Sequence, residues 1–185
     1  LQWMESTNNS SVLYSNQTLI QRYVLACLYY NTFAVGTYYT DVSYGEGIVP
    51  DWVNSKFWMT SQDECTWFGI KCNSNKEISA IDMPTNKLTG SIPTSFSKMT
   101  LLETLNLSGN KLSGSLRGQI DNLGSLSNLD LSSNNFVGDL PAELGNLSNL
   151  KYLSLAGWFS LLPAQRRRRQ RRRRSPPGRP GGRDG

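Results

Sequence analysis

Leu102-Glu-Thr-Leu105-Asn-Leu107-Ser-Gly-Asn110-Lys-Leu112-Ser-Gly114-Ser-Leu116 is one copy of a pattern that recurs every 24 residues. The copies open at Ile78, Leu102, Leu126 and Leu150. Three positions on stand Ile81, Leu105, Leu129 and Leu153, and two further Met83, Leu107, Leu131 and Leu155. An asparagine column follows (Asn86, Asn110, Asn134), then Leu88, Leu112 and Phe136, then glycines at 90, 114 and 138, then Ile92, Leu116 and Leu140. The second half keeps register with Phe96, Ile120 and Leu144, and with Met99, Leu123 and Leu147. Columns held at one period over three copies are the signature of a solenoid.

The physical reading runs column by column. Apolar residues two apart predict a short strand with one buried face. One such strand cannot bury its apolar side alone, but stacked copies can. The asparagines sit where the chain turns out of the strand. A buried amide side chain there satisfies turning backbone groups, and identical coils arrange these amides as a ladder. The glycines suit a backbone with positive φ or no room for a Cβ.

The pattern Leu-x-x-Leu-x-Leu-x-x-Asn resembles the leucine-rich repeat family, and its plant-type extracellular class in particular. The segments Asn86-Lys-Leu-Thr-Gly-Ser-Ile-Pro93, Asn134-Asn-Phe-Val-Gly-Asp-Leu-Pro141 and Leu144-Gly-Asn-Leu147 carry that resemblance, which extends over about residues 15–157. It implies an α/β solenoid: a short right-handed superhelix with parallel strands on a concave face that binds partners. Asp63-Glu-Cys65-Thr-Trp67-Phe-Gly69-Ile-Lys-Cys72 resembles the cysteine-paired cap that precedes such repeats, so a Cys65–Cys72 disulfide is expected. Closing so short a loop contributes roughly 2–3 kcal/mol in the chain-entropy model. The rival, a zinc site, lacks a second ligand pair and any histidine.

Four segments follow from this. Residues 1–16 form a polar lead-in expected to be flexible, 17–77 the cap, 78–157 about three and a half repeats, and 158–185 a disordered tail. In the cap, Thr18 has the character of a helix N-cap, and Leu19, Ile20, Tyr23, Val24, Cys27 and Leu28 follow helical spacing as one apolar face ending near residues 30–32. Cys27 is expected to be a small buried apolar residue. Residues 34–50 look like a loop, and Trp52, Val53, Phe57 and Trp58 suggest a packed turn. The fourth repeat breaks: Trp158 stands in the asparagine column, Ser160 in the leucine column and Leu162 in the glycine column. The solenoid is expected to stop in mid-coil.

The formal charge of +5 hides two halves. Residues 1–165 hold 9 Lys and Arg against 13 Asp and Glu, a net −4, while 166–185 hold 10 Arg and one Asp, a net +9. The run Arg166–Arg174 self-repels and cannot pack. The readings open for it are an inert solvated tail, a mistranslated end joined to a truncated repeat, a non-specific polyanion contact, or a targeting signal. No aromatics interleave the arginines for base stacking, so specific nucleic-acid reading is not expected. The chain starts at Leu1 without a signal-peptide pattern, and no apolar run is long enough to span a bilayer. It is therefore expected to be the N-terminal part of a longer secreted or receptor-like protein, its signal and any anchor or kinase lying elsewhere.

Function is expected on the outward strand positions. The central row is Asp82, Asn106, Asp130 and Ser154; beside it run Ala80, Thr104, Asn128 and Tyr152, and on the other side Pro84, Ser108, Ser132 and Ala156. Of these, Asp82, Thr104, Asn106, Asn128, Asp130, Tyr152 and Ser154 are the candidate contacts for a protein, peptide or glycan. A merely solvated strip is the alternative, as is a wall or matrix scaffold without a discrete ligand. No enzyme or cofactor is expected. Histidine is absent, and no phosphate-cradling glycine loop is present. Asp82 and Asp130, about 10 Å apart across two strand spacings, suit an inverting carboxylate pair in distance alone. Asn8, Asn9, Asn16, Asn106 and Asn146 each begin an Asn-x-Ser/Thr glycosylation triplet.

Overall fold

In the computed structural model, residues 16–32 and 51–158 are described. They form helix α1 (Asn16–Thr32) and strands β1 (Ile70–Cys72), β2 (Ile78–Asp82), β3 (Thr104–Asn106), β4 (Ser113–Gly114), β5 (Asn128–Asp130), β6 (Asn135–Phe136) and β7 (Tyr152–Ser154). The main sheet has the order β1-β2-β3-β5-β7, and β4 pairs with β6 separately. β1 runs antiparallel to β2; the rest of the sheet is parallel. Register follows the 24-residue period: Ala80, Thr104, Asn128 and Tyr152 align, then Ile81, Leu105, Leu129 and Leu153, then Asp82, Asn106, Asp130 and Ser154. This is the parallel-stranded solenoid that the repeat predicts.

Stacking buries the apolar columns. Ile78, Ile81, Met83, Leu88, Phe96 and Met99 of the first coil are fully buried, as are their counterparts through Leu129. The ladder forms as well. Asn110 Oδ1 accepts the N–H groups of Asn86 (2.9 Å) and Leu88 (3.0 Å), and its Nδ2 donates to the carbonyls of Met83 and Leu107. Asn134 repeats this one coil on, with Leu112, Leu107 and Leu131. Asn86 has no earlier coil and pairs with the backbone of Asn54 in the cap. The glycines at 90, 114 and 138 all have positive φ. A Cβ on Gly90 would also run into the carbonyl oxygen of Asn31 at the end of α1.

The cap covers the open end of the first coil. Cys65 and Cys72 are disulfide-bonded. Tyr29, Trp52, Trp58 and Trp67 form one aromatic cluster. Thr32 O accepts from Trp52 Nε1 (3.1 Å) and from Thr89 N (2.8 Å), which fastens the helix end to the coil.

Three expectations need correcting. Thr18 lies inside α1, which begins at Asn16. The buried helix face is Gln21, Arg22, Val24, Leu25, Leu28, Tyr29 and Thr32, while Leu19, Ile20 and Tyr23 are exposed and Cys27 is half-buried. The face is rotated because polar residues on it have specific partners. Gln21 Oε1 accepts from Ile78 N. Arg22 donates to Glu64 Oε2 and to the carbonyl of Thr60. Of the packed turn, Trp52 and Trp58 are buried but Val53 and Phe57 are exposed.

Coil four is present but open. Leu153 is 45% exposed where its three predecessors are fully buried. Trp158, in place of the ladder asparagine, stacks on Phe136 at 5.2 Å and donates from Nε1 to Gly138 O. The predicted loop at 34–50, the triplets at Asn8 and Asn9, and the run Arg166–Arg174 lie outside the described residues.

Candidate ligand-binding face

Strand alternation decides which side chains reach the concave face. Ile81, Leu105 and Leu129 point inward and are fully buried, so their neighbours point out. Asp82, Asn106, Asp130 and Ser154 form one half-exposed row. In the adjacent row Thr104 is half-buried, Asn128 is exposed, and Tyr152 is 52% exposed. The structure therefore brings all seven candidate contacts onto one sheet face.

The row is internally braced. Asn106 Nδ2 donates to Asp82 Oδ1 at 2.9 Å. Asn106 Oδ1 accepts from the backbone N–H and the hydroxyl of Ser108, at 3.1 and 2.7 Å. Asp130 does the same one coil on, accepting from Ser132 N at 2.9 Å and Ser132 Oγ at 2.6 Å. Each carboxylate thus has one oxygen held by the sheet. The second oxygen of each has no hydrogen-bond partner among the described residues. This fixes acceptor positions without a closed cleft around them. The geometry suits recognition by hydrogen bonds along an open surface.

Sequence reasoning missed Lys71. Antiparallel β1 pairs Lys71 with Ala80, so the exposed lysine extends the row of Thr104, Asn128 and Tyr152 on the cap side. The signal was available: Lys71 alternates with Ile70 and Cys72, but the segment reads first as a cysteine loop. A shallow cavity of about 650 Å³ lies away from this face, with Gln17, Ser97, Thr100, Asp121 and Asn146 among its lining. Among the described residues, no His, Cys, Asp and Glu cluster is arranged to hold a metal, and no helix is long and apolar enough to cross a membrane.

A capped solenoid with a braced polar concave sheet is the architecture of a leucine-rich repeat domain. Residues 76–136 match the leucine rich repeat family model. The chain is 38% identical over 55 residues to MDIS1-interacting receptor like kinase 1 of Arabidopsis thaliana, a match covering 29% of this chain and 5% of that protein. It resembles the Arabidopsis receptor kinase HAESA, solved with the peptide hormone IDA and the co-receptor SERK1, with TM-score 0.59 and 25% identity over 79% of this chain and 22% of that one. It resembles PEPR1 in the PEPR1–AtPEP1 complex with TM-score 0.57 and 25% identity over 75% of this chain and 18% of that one. The chain thus spans a small part of the length of each. Residues 76–136 are thus leucine-rich repeats, and the capped solenoid around them has the fold of these receptor-kinase structures.

Proposed function

We propose that this chain is a non-catalytic extracellular recognition module that binds a peptide or protein segment on its concave face, as part of a secreted or receptor-like protein. The observation that carries this reading is the braced row of Asp82, Asn106 and Asp130, flanked by exposed Asn128 and Tyr152 on a continuous sheet. Pre-positioned acceptors lower the ordering cost of binding an extended chain. HAESA, solved with a peptide hormone, and PEPR1, solved with AtPEP1, support a peptide ligand by likeness. The Cys65–Cys72 disulfide supports an oxidising compartment.

The test is selection of a displayed random-peptide library on the folded full chain. Selected peptides are expected to lose at least about tenfold in affinity, or about 1.4 kcal/mol, on Asp130→Ala or Asn128→Ala. Binding unchanged by both substitutions and by Tyr152→Ala removes the concave face from the proposal.

A further inference from the structure

Two glycosylation triplets fall on well-described side chains, and the structure treats them differently. Asn106-Leu107-Ser108 belongs to a repeating device. Asn106 Oδ1 accepts from Ser108 N and Oγ, and one coil on Asp130 accepts from Ser132 N and Oγ in the same way. A carboxylate does the same work as the amide, so an internal turn bond accounts for the Asn-x-Ser spelling at 106. Asn106 is also half-buried, is tied to Asp82, and has neighbouring strands about 4.8 Å away on each side.

Asn146-Leu147-Ser148 is different. The same column in earlier coils reads Lys98-Met-Thr100 and Asn122-Leu-Gly124, so the repeat does not require the triplet. Asn146 ends a short 3₁₀ turn, Ala142–Asn146, on the side of the coil away from the strands. It is exposed, and its side chain makes no hydrogen bond among the described residues. Ser148 is exposed too, while Leu147 between them is buried and fixes the turn. Asn146 is also one of the residues lining the 650 Å³ cavity. Gln17, Ser97, Thr100, Asp121 and Asn122 offer that cavity amide, hydroxyl and carboxylate groups, and Ile20 an apolar surface. This mixed lining is what a sugar ring uses, with its hydroxyls on one set of atoms and its C–H face on the other.

We infer that Asn146 carries an N-linked oligosaccharide whose innermost sugar lies in this cavity, and that Asn106 stays bare. The inference rests on the extracellular reading. The donor is a lipid pyrophosphate-linked oligosaccharide. Its anomeric carbon–oxygen bond breaks, a bond from that carbon to Asn146 Nδ2 forms, one Nδ2 proton is lost, and the lipid pyrophosphate leaves. The glycan then clads the flank and leaves the concave row open.

The experiment is expression of the full chain behind a secretion leader in plant cells, followed by glycopeptide mass spectrometry. The Asn146 peptide is expected to carry a glycan mass that Asn146→Gln and Ser148→Ala both lose. The Asn106 peptide is expected unmodified. Endoglycosidase is expected to release the glycan at least about threefold faster from denatured than from native protein, since the cavity shields the first sugar. The Cys65–Cys72 peptide separates the two readings. If it is disulfide-linked and Asn146 is bare, the glycan inference fails alone; if both cysteines are free, the extracellular reading fails first. A glycan at Asn106 overturns the selectivity, and equal release rates overturn the placement in the cavity.

Discussion

Arg22 Nη1 lies 2.8 Å from Glu64 Oε2, with both side chains almost fully withdrawn from solvent. The guanidinium also sits over the Trp67 ring at 5.2 Å and donates to Thr60 O at 2.7 Å. One residue of α1 thus holds the cysteine turn in place. Glu64 Oε1 accepts nothing among the described residues, so the pair is incompletely compensated. Breaking such a pair from one side costs about 3–5 kcal/mol, whereas replacing both partners by apolar groups is often neutral. Arg22→Met is expected to lose that much, and Arg22→Met/Glu64→Met to recover most of it, as read by urea denaturation.

The same pair predicts a pH dependence. Burial pushes the Glu64 carboxyl above its ordinary value, while Arg22 pulls the other way. A carboxyl raised in the folded state binds its proton there while the unfolded chain has released it. Stability therefore falls as pH rises from the ordinary carboxylate value to the folded one. Removing the Arg22 charge widens this window upwards. The stability gap between wild type and Arg22→Met is expected to shrink on going from about pH 7 to about pH 5. A gap that stays constant, followed by thermal denaturation across that range, refutes the assignment to Glu64.

Asn110 is the ladder position with most to lose. Its amide serves Asn86 N, Leu88 N, Met83 O and Leu107 O, all inside the stack. Each buried backbone group left unpaired costs about 1–3 kcal/mol, partly relieved by water entry. Asn110→Ala is expected to destabilise by about 3–4 kcal/mol. Asn86→Ala is expected to cost about half as much, because its partners at Asn54 are only partly buried. Equal losses would mean that the ladder is not graded by burial.

The parts legible in the sequence were those written several times. Through the first two coils the repeated columns, from Ile81 and Leu105 to Asn86 and Asn110, take the places their period assigns, whereas Leu140 is 54% exposed where Ile92 and Leu116 are buried. The parts written once were read less well. The face of α1 was misjudged because Gln21 and Arg22 are buried through bonds to Ile78 and Glu64. Those partners lie 57 and 42 residues away, where no periodicity reports them. On the binding face the outward rows were legible. The brace from Asn106 to Asp82 and the contribution of Lys71 required three-dimensional register.

The glycine column separates two costs. Gly90 and Gly138 both have positive φ, at 68° and 95°. A Cβ at Gly90 would strike the Asn31 carbonyl, a backbone atom, whereas at Gly138 nothing lies within 4 Å. Gly138→Ala is expected to cost only the conformational strain, about 1 kcal/mol. Gly90→Ala is expected to cost at least about 3 kcal/mol, because the helix end must move. Trp52 provides the second readout, since its Nε1 donates to Thr32 O beside that contact. Its fluorescence is expected to change in Gly90→Ala and not in Gly138→Ala.

A further column predicts stabilisation. Thr85, Gly109, Ser133 and Gly157 are 24 residues apart and all have positive φ, at 51°, 67°, 54° and 93°. The turn out of each strand demands this geometry, and two coils meet it with a residue that has a Cβ. Left-handed backbone costs such a residue about 1–2 kcal/mol. Glycine avoids that but adds about 0.5–1 kcal/mol of unfolded-state entropy. Ser133→Gly is expected to stabilise by about 0.5–1 kcal/mol, the difference of the two. The reverse change at Gly109 is worse than strain alone, because its Cβ would lie 2.6 Å from Thr85 Cγ2. Gly109→Ala is therefore expected to destabilise by more than about 2 kcal/mol in wild type and by clearly less in a Thr85→Gly background. A double-mutant cycle with no coupling between these positions would place the cost in the backbone alone.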